Sequence, residues 1–344
     1  MFAIYISESA LKAIVLSEGK KPASGQSYLY RIMRELKILY VSAESSDTSW
    51  AKQYKEKYSW TLDFSQSDYI KGIPDHPETI LQHPSSVFIL NIPITEAERI
   101  QKSYGVICLS SEMPSLAMLI DTNDEHTVGE GEVFGNGWET VLKGLKDIPS
   151  NALLLTDRYL FSFYSARMGD GVANVKNILD VLLPQRFLGE YHVIIIFDDD
   201  KLYSNFTFSY IASRLENVKQ ELHREYPIVI ELLSITSDCE IYEQLHNRRI
   251  ISNYFIVKAE HKLAAFNGNK GTAMQSITPQ VLFTVDSLNH RSSPPLKSID
   301  HLIAALRKFS QSLPRLKDHH IYSYAIDGEK KGKCKEIVSR LLWF

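Results

Sequence analysis

Apolar and polar positions along the chain follow two periods. In residues 1–117, compact apolar runs at 2–6, 37–41, 87–90 and 106–109 have the length of buried strands, while 26–35, 50–57 and 95–104 repeat apolar residues at helical spacing. The helix at 95–104 carries boundary signals as well. Thr95 stands as an N-cap, Glu96 and Glu98 place negative charge at the positive end of the helix dipole, and Gly105 offers a stop. Strand and helix in alternation predict a parallel or mixed sheet layered with helices.

The pattern breaks over residues 118–150, where DTNDEHTVGEGEVFGNGWE concentrates acidic, glycine and asparagine residues, and this stretch is expected to be a linker. Gly129, Gly131, Gly135 and Gly137 match neither a dinucleotide fingerprint nor a P-loop, because no buried strand precedes them and no GK[ST] follows. From residue 151 to 344 the alternation resumes. Strands are expected at 152–156, 192–197 and 228–234, and helices at 172–183, where Pro184 stops the run, and at 208–226. A hairpin or strand pair at 243–257 and an amphipathic closing helix at 298–312 complete the unit. No repeat of solenoid spacing is present. The expected architecture is therefore α/β throughout: a layered N-terminal α/β domain (1–117), a linker (118–150) and a C-terminal α/β sheet domain (151–344).

Bulk charge narrows the function classes only slightly. A formal net charge of -3 excludes a global attraction to nucleic acid or anionic membranes, so recognition of phosphate has to come from local clusters of Arg and Lys. Cys108, Cys239 and Cys334 are far apart, with no CxxC pair and no histidine at zinc-ligand spacing, which fits a reduced cytoplasmic protein with no metal or cofactor. The N-terminus lacks the basic region of a signal peptide, and the longest apolar runs are too short to span a bilayer.

The chemistry-bearing segment is Leu245-His246-Asn247-Arg248-Arg249-Ile250-Ile251-Ser252-Asn253. In an extended chain His246 and Arg248 share parity, so both side chains reach one side of the sheet and can converge on one anion, while Arg249 takes the opposite face. Asn253 follows seven residues after the histidine and needs a turn to approach the same site.

This stretch resembles the HxKxxxxD signature of the phospholipase D superfamily, with Arg248 in the lysine position and Asn253 in that of the aspartate. It is also similar to the phospholipase-D-like domain that follows microtubule-interacting-and-transport modules, whose HDR segment and apolar strand are matched by LHNRRIISNYFIVKAEHKLAAF. Strand 153–157 with Arg158-Tyr159-Leu160 resembles the Asp-Pro-Tyr opening of those domains. The resemblance covers the C-terminal half. It implies a histidine nucleophile at His246 and phosphate contacts from Arg248, Arg249 and Asn253. Asp157, at the end of its strand, either faces the ligand crevice or caps a turn. Active members pair two motifs, and this chain supplies one, with an amide where a carboxylate would steady the imidazolium.

Three readings follow from the resemblance. The leading one is a non-catalytic or weakly catalytic component that recognises a phosphodiester in nucleic acid, with a bacterial assembly such as a defence system as its expected setting. The second is a phospholipase-D-type nuclease or phosphodiesterase that pairs two His246 side chains across a homodimer. The third is a structural subunit in which HNRR is only a salt-bridged strand.

Other segments carry weaker chemistry. Asp198-Asp199-Asp200 offers oxygen ligands for a hard cation, or a solvated acidic turn. Lys330, Lys331, Lys333, Lys335 and Arg340 form a basic tail without interleaved aromatics, and Leu341-Leu342-Trp343-Phe344 is expected to pack on this chain or on a protein partner. His319 and His320 diverge in either regular structure, which argues against joint metal ligation. The N-terminal alternation resembles a PIN-like nuclease but lacks an aspartate on its first strand, so this domain is expected to bind a protein or nucleic-acid partner.

Overall fold

The structure is a computed structural model and describes residues 2–16, 29, 32–33, 36, 38–44, 49–112, 126–128, 137–162, 169–198, 201–202, 207–235, 237, 242–267, 270–271, 275–282, 295–312, 321–324, 332–333 and 339–342. Its architecture is α/β, built on two large sheets.

The first sheet holds β1 (Ile4–Ser7), β2 (Ile38–Ser42), β3 (Thr61–Asp63), β4 (Val87–Leu90) and β5 (Ile107–Ser110) in the order 3-2-1-4-5. All its pairings are parallel. Such a sheet is covered on both faces, which is why its strands are continuous apolar runs. Ile4, Ile6, Val87 and Ile89 face one core, and Tyr5, Phe88 and Leu90 face another. Helices α1 (Glu8–Leu16), α2 (Ser49–Tyr58), α3 (Ser67–Gly72) and α4 (Ile94–Tyr104) lie along it. Of the helix expected at 26–35, Leu29, Ile32 and Met33 are helical and buried, and the other positions lie outside the described residues.

Helix α4 starts one residue earlier than expected. Pro93, at φ -57 and ψ 151, occupies the cap, so Thr95 is already inside the helix and caps nothing; Glu96 instead pairs with Arg99 at 2.6 Å. Gly105 does end the helix, at φ 60. A Cβ there would lie 2.0 Å from the Ser150 carbonyl oxygen, so close approach as well as left-handed backbone requires glycine.

The second sheet is mixed. It comprises β6 (His126–Val128), β7 (Ala152–Thr156), β8 (Tyr191–Asp198), β9 (Ile228–Ile235), β10 (Arg248–Ser252), β11 (Phe255–Ala259), β14 (Gln275–Val281), β15 (Ile321–Tyr324) and β16 (Gly332–Lys333) in the order 16-15-9-8-7-10-11-14-6. Strands β12 (Phe266–Asn267) and β13 (Lys270–Gly271) form a separate ribbon. The three central strands, β7, β8 and β9, are parallel, and β10 returns antiparallel beside β7. Helices α5 (Trp138–Leu142), α6 (Gly169–Leu182) and α7 (Phe208–Glu221) pack on one face, and α8 (Pro295–Ser312) covers the other with Ile299, Leu302, Ile303 and Leu306.

The expected linker is partly a folded element. Strand β6 pairs with β14 at the sheet edge, and Trp138, Val141, Leu142 and Leu145 are buried in the same core as β7. Their helical spacing sits inside a polar stretch, so composition hid an amphipathic segment. Leu341, expected to pack on this chain or on a partner, is buried in this chain's own core under α8. Trp343 and Phe344 lie outside the described residues.

Candidate functional site

The central parallel strands of the second sheet end together, and chemistry collects at their carboxyl edge, as it does in open α/β sheets generally. Strand pairing with β8 continues past Thr156, through Asp157 N to Ile196 O and Asp198 N to Arg158 O. Alternation therefore sends Asp157 toward the α6 and α7 face and Arg158 toward the α8 face.

Asp157 is fully buried. Its Oδ1 accepts from Tyr159 N at 2.9 Å and its Oδ2 from Leu263 N at 2.7 Å. Burial pushes its carboxyl up to about 6, opposed by those two amides and by the positive charges of Arg248 and Lys262. A carboxylate spent on two backbone amides anchors the 260s loop and is not a free ligand. Of the two roles open to a strand-ending aspartate, ligand-facing or turn-capping, these hydrogen bonds match the capping one.

Arg158 is only 5% exposed. Its guanidinium lies over the Tyr242 ring at 3.6 Å, and its Nη1 donates to the His246 imidazole, 3.1 Å from Nδ1 and in contact with Nε2. Among the described residues the only carboxylate paired with it is Glu243, 3.6 Å from Nη2 and 81% exposed. Arg158 Nε and Nη2 are buried without a hydrogen-bond acceptor. Tyr242 is held by donating to the buried Asp198 at 2.6 Å, a bond that pushes the phenol up to about 12.

His246 is the exposed last residue of a 3-10 turn, Tyr242–His246, and not part of a strand. It meets Arg248 through its backbone, since Arg248 Nη1 donates to the His246 carbonyl at 2.9 Å and to Glu260 O at 3.4 Å. The Arg248 guanidinium sits 5.7 Å from the centre of the Tyr159 ring, and its Nε is a second buried donor without an acceptor. Arg249 takes the opposite face, as its parity predicts, across from Thr156 on β7 and Lys258 on β11.

Asn253 does not join this group. It is fully buried at the other end of β10, where its Oδ1 accepts from Asn151 N at 2.9 Å and Ala152 N at 3.2 Å. Its Nδ2 donates to Pro84 O at 3.0 Å and Asn151 Oδ1 at 3.1 Å. Tyr254 next to it donates to Ser86 O at 2.5 Å and accepts from Ile107 N at 3.1 Å. Asn253 thus belongs to a polar seam that locks the first sheet onto the second. The physical reason is direction: an extended β10 carries residue 253 five residues away from Arg248, about 16 Å along the strand, and no turn brings it back.

The edge therefore unites His246, Arg248 and Asp157 from the sequence motif and adds Arg158, Tyr159, Tyr242, Glu243 and Lys262. A signal for Arg158 was present, because it directly follows a strand-ending carboxylate. Nothing in sequence marked Tyr242 as its support. Asp198 serves Tyr242, and Asp199, Asp200, His319, His320, Lys330, Lys331 and Lys335 lie outside the described residues. Among the described residues no cluster of three His, Cys, Asp or Glu side chains is placed to hold a metal ion, and no helix is long and apolar enough to cross a membrane.

The class that fold and site define is a two-sheet α/β protein with a basic carboxyl edge. No protein-family model matches the chain, and no curated protein does.

Proposed function

We propose that the carboxyl edge of the second sheet binds a phosphate group of a phosphodiester and does so without turnover. The observation that carries this reading is Arg158, a buried guanidinium whose Nε and Nη2 meet no hydrogen-bond acceptor among the described residues, beside the exposed His246. A buried donor without a partner costs about 1–3 kcal/mol, and an anion that accepts from it recovers that cost. Arg248 Nε is another buried donor without an acceptor at this edge, on the other face of the sheet. The likeness of His246 and Arg248 to the phospholipase D signature supports the same ligand chemistry, and the expected setting in a bacterial assembly rests on that likeness alone.

Turnover is disfavoured by what surrounds the histidine. A nucleophilic imidazole needs a carboxylate to orient it and to stabilise its positive form. Here the ring faces the Arg158 cation, the nearest paired carboxylate is Glu243 at 3.6 Å, and Asn253 is engaged elsewhere.

Calorimetric titration with inorganic phosphate and with dimethyl phosphate tests the reading. The wild-type chain should bind both, and Arg158→Gln should weaken binding at least tenfold with its circular dichroism unchanged. Equal binding by wild type and variant overturns the proposal. Hydrolysis of bis(4-nitrophenyl) phosphate that disappears in His246→Ala would favour the nuclease reading in its place.

A further inference from the structure

The face of the second sheet under α8 carries a row of cations. Arg158 shares this face with Thr156, because both have the parity of Leu154, which packs in the α8 core. Arg249 is in register with Thr156, so on the same face it is the diagonal neighbour of Arg158. Lys258 is in register with Arg249 on the next strand. Arg158, Arg249 and Lys258 therefore step across β7, β10 and β11, a span of about two strand spacings or ~10 Å.

This row is electrostatically unbalanced. Like charges directly opposite each other on neighbouring strands destabilise a sheet. The Arg249 and Lys258 pair is flanked by Thr156 on one side and Thr278 on the other. Among the described residues neither cation has a carboxylate partner, and Arg249 Nε is buried without an acceptor. Desolvation lowers the affinity of both for their protons, and for Lys258 the neighbouring Arg249 charge adds to it.

Resting on the phosphate reading above, we propose that Arg249 and Lys258 form a second anion subsite that takes the neighbouring phosphate of a chain whose first phosphate lies at Arg158. The ligand is then a linear chain of phosphates, of which an oligonucleotide backbone and inorganic polyphosphate are the two sources. The rings of this edge, Tyr242 and Tyr159, already lie against the guanidiniums of Arg158 and Arg248. They offer no free platform for bases, so recognition is of backbone charge and independent of base sequence.

Fluorescence anisotropy with a labelled oligothymidylate, competed by unlabelled inorganic polyphosphate, tests this, with inorganic phosphate titrated in parallel. The Arg249→Gln, Lys258→Gln double variant should bind the oligonucleotide about tenfold more weakly and keep its inorganic phosphate affinity. Its slope of log affinity against log salt should fall by about 0.7, because one phosphate fewer is neutralised. Arg249→Lys should retain most of the affinity. Displacement by polyphosphate identifies phosphates alone as sufficient, and its failure selects the nucleotide chain; both agree with a second subsite. If the double variant matches wild type in affinity and salt slope while Arg158→Gln abolishes phosphate binding, the second subsite falls and the first stands. If Arg158→Gln leaves phosphate binding intact, both fall.

Discussion

Both sheets of this chain present the carboxyl ends of parallel strands, and the two edges have opposite chemistry. At the first, Glu8 follows β1 directly and is buried; it accepts from Lys12 Nζ at 2.5 Å and from Glu44 N at 2.7 Å. Glu44 in turn accepts from Ser9 N at 3.1 Å, and Ser7 Oγ accepts from Ala10 N at 3.3 Å. The amides that open α1, which in many α/β folds receive a ligand phosphate, are thus capped by this protein's own carboxylates and hydroxyl. At the second edge, Asp157 is spent on two backbone amides, and among the described residues Arg158, Arg248 and Arg249 are left with buried donors unmet. The same topological position is capped from within in one sheet and leaves buried donors unmet in the other, so strand direction alone does not make a binding site.

The largest expected effect tests whether Asn253 belongs to the edge or to the seam. Asn253→Asp would turn two donations, to Pro84 O and Asn151 Oδ1, into contacts between oxygens and would bury a charge. Urea unfolding should show destabilisation by about 3–5 kcal/mol. A variant of native stability that gains phosphodiesterase activity would return Asn253 to the site.

The next largest effect is the pH dependence that Asp157 gives to the second edge. Asp157 has its folded pKa raised to about 6 from an ordinary 3.8, so its stabilising protonated form is fully present below pH ~3.8 and is lost as pH rises through ~6. Relative to Asp157→Asn, which does not titrate, wild type should gain about 2.4 kcal/mol between pH 7 and pH 4. His192 works in the opposite sense, because burial lowers it to about 3 and its stabilisation is lost as pH falls. Comparing stabilities with the variant at each pH isolates the aspartate, and a pH-independent difference would remove the burial argument.

At the closed edge, Glu8→Gln should cost about 1 kcal/mol of stability by weakening the Lys12 and Glu44 hydrogen bonds and leave phosphate affinity unchanged. Arg158→Gln should show the reverse, with stability held and binding abolished. If both variants moved the same observable, the contrast between the edges would be false. The smallest effect is at Glu243, the exposed carboxylate 3.6 Å from both Arg158 and His246. Removing its charge in Glu243→Gln should raise phosphate affinity a few-fold, less than about 1 kcal/mol, at low salt. Weaker binding instead would make Glu243 part of the site.

Much of this could be read along the chain. Strands 87–90 and 152–156 were legible at their bounds, because four or five consecutive apolar residues between turn signals admit few other readings. Gly105 was legible as a helix stop, though the need for glycine against Ser150 was not. Thr95 misled because Pro93 supplied an extended cap residue that left the threonine two places too late. In the site, His246 and Arg248 were recognisable as a pair, but their meeting is by a 3-10 turn and a backbone carbonyl and not by shared strand parity.

The sequence by itself determined the α/β class, the buried strands and the segment that carries the basic residues, since each depends on local periodicity and residue type. Only the tertiary structure decided which cations are left without partners. Arg158, Tyr242 and His246 are separated by up to 88 positions and become neighbours through strand order. Asn253, seven residues from His246, is carried to the opposite end of the sheet because a strand extends in one direction. Whether a donor is satisfied depends on what long-range packing brings to it, and local sequence does not contain that information.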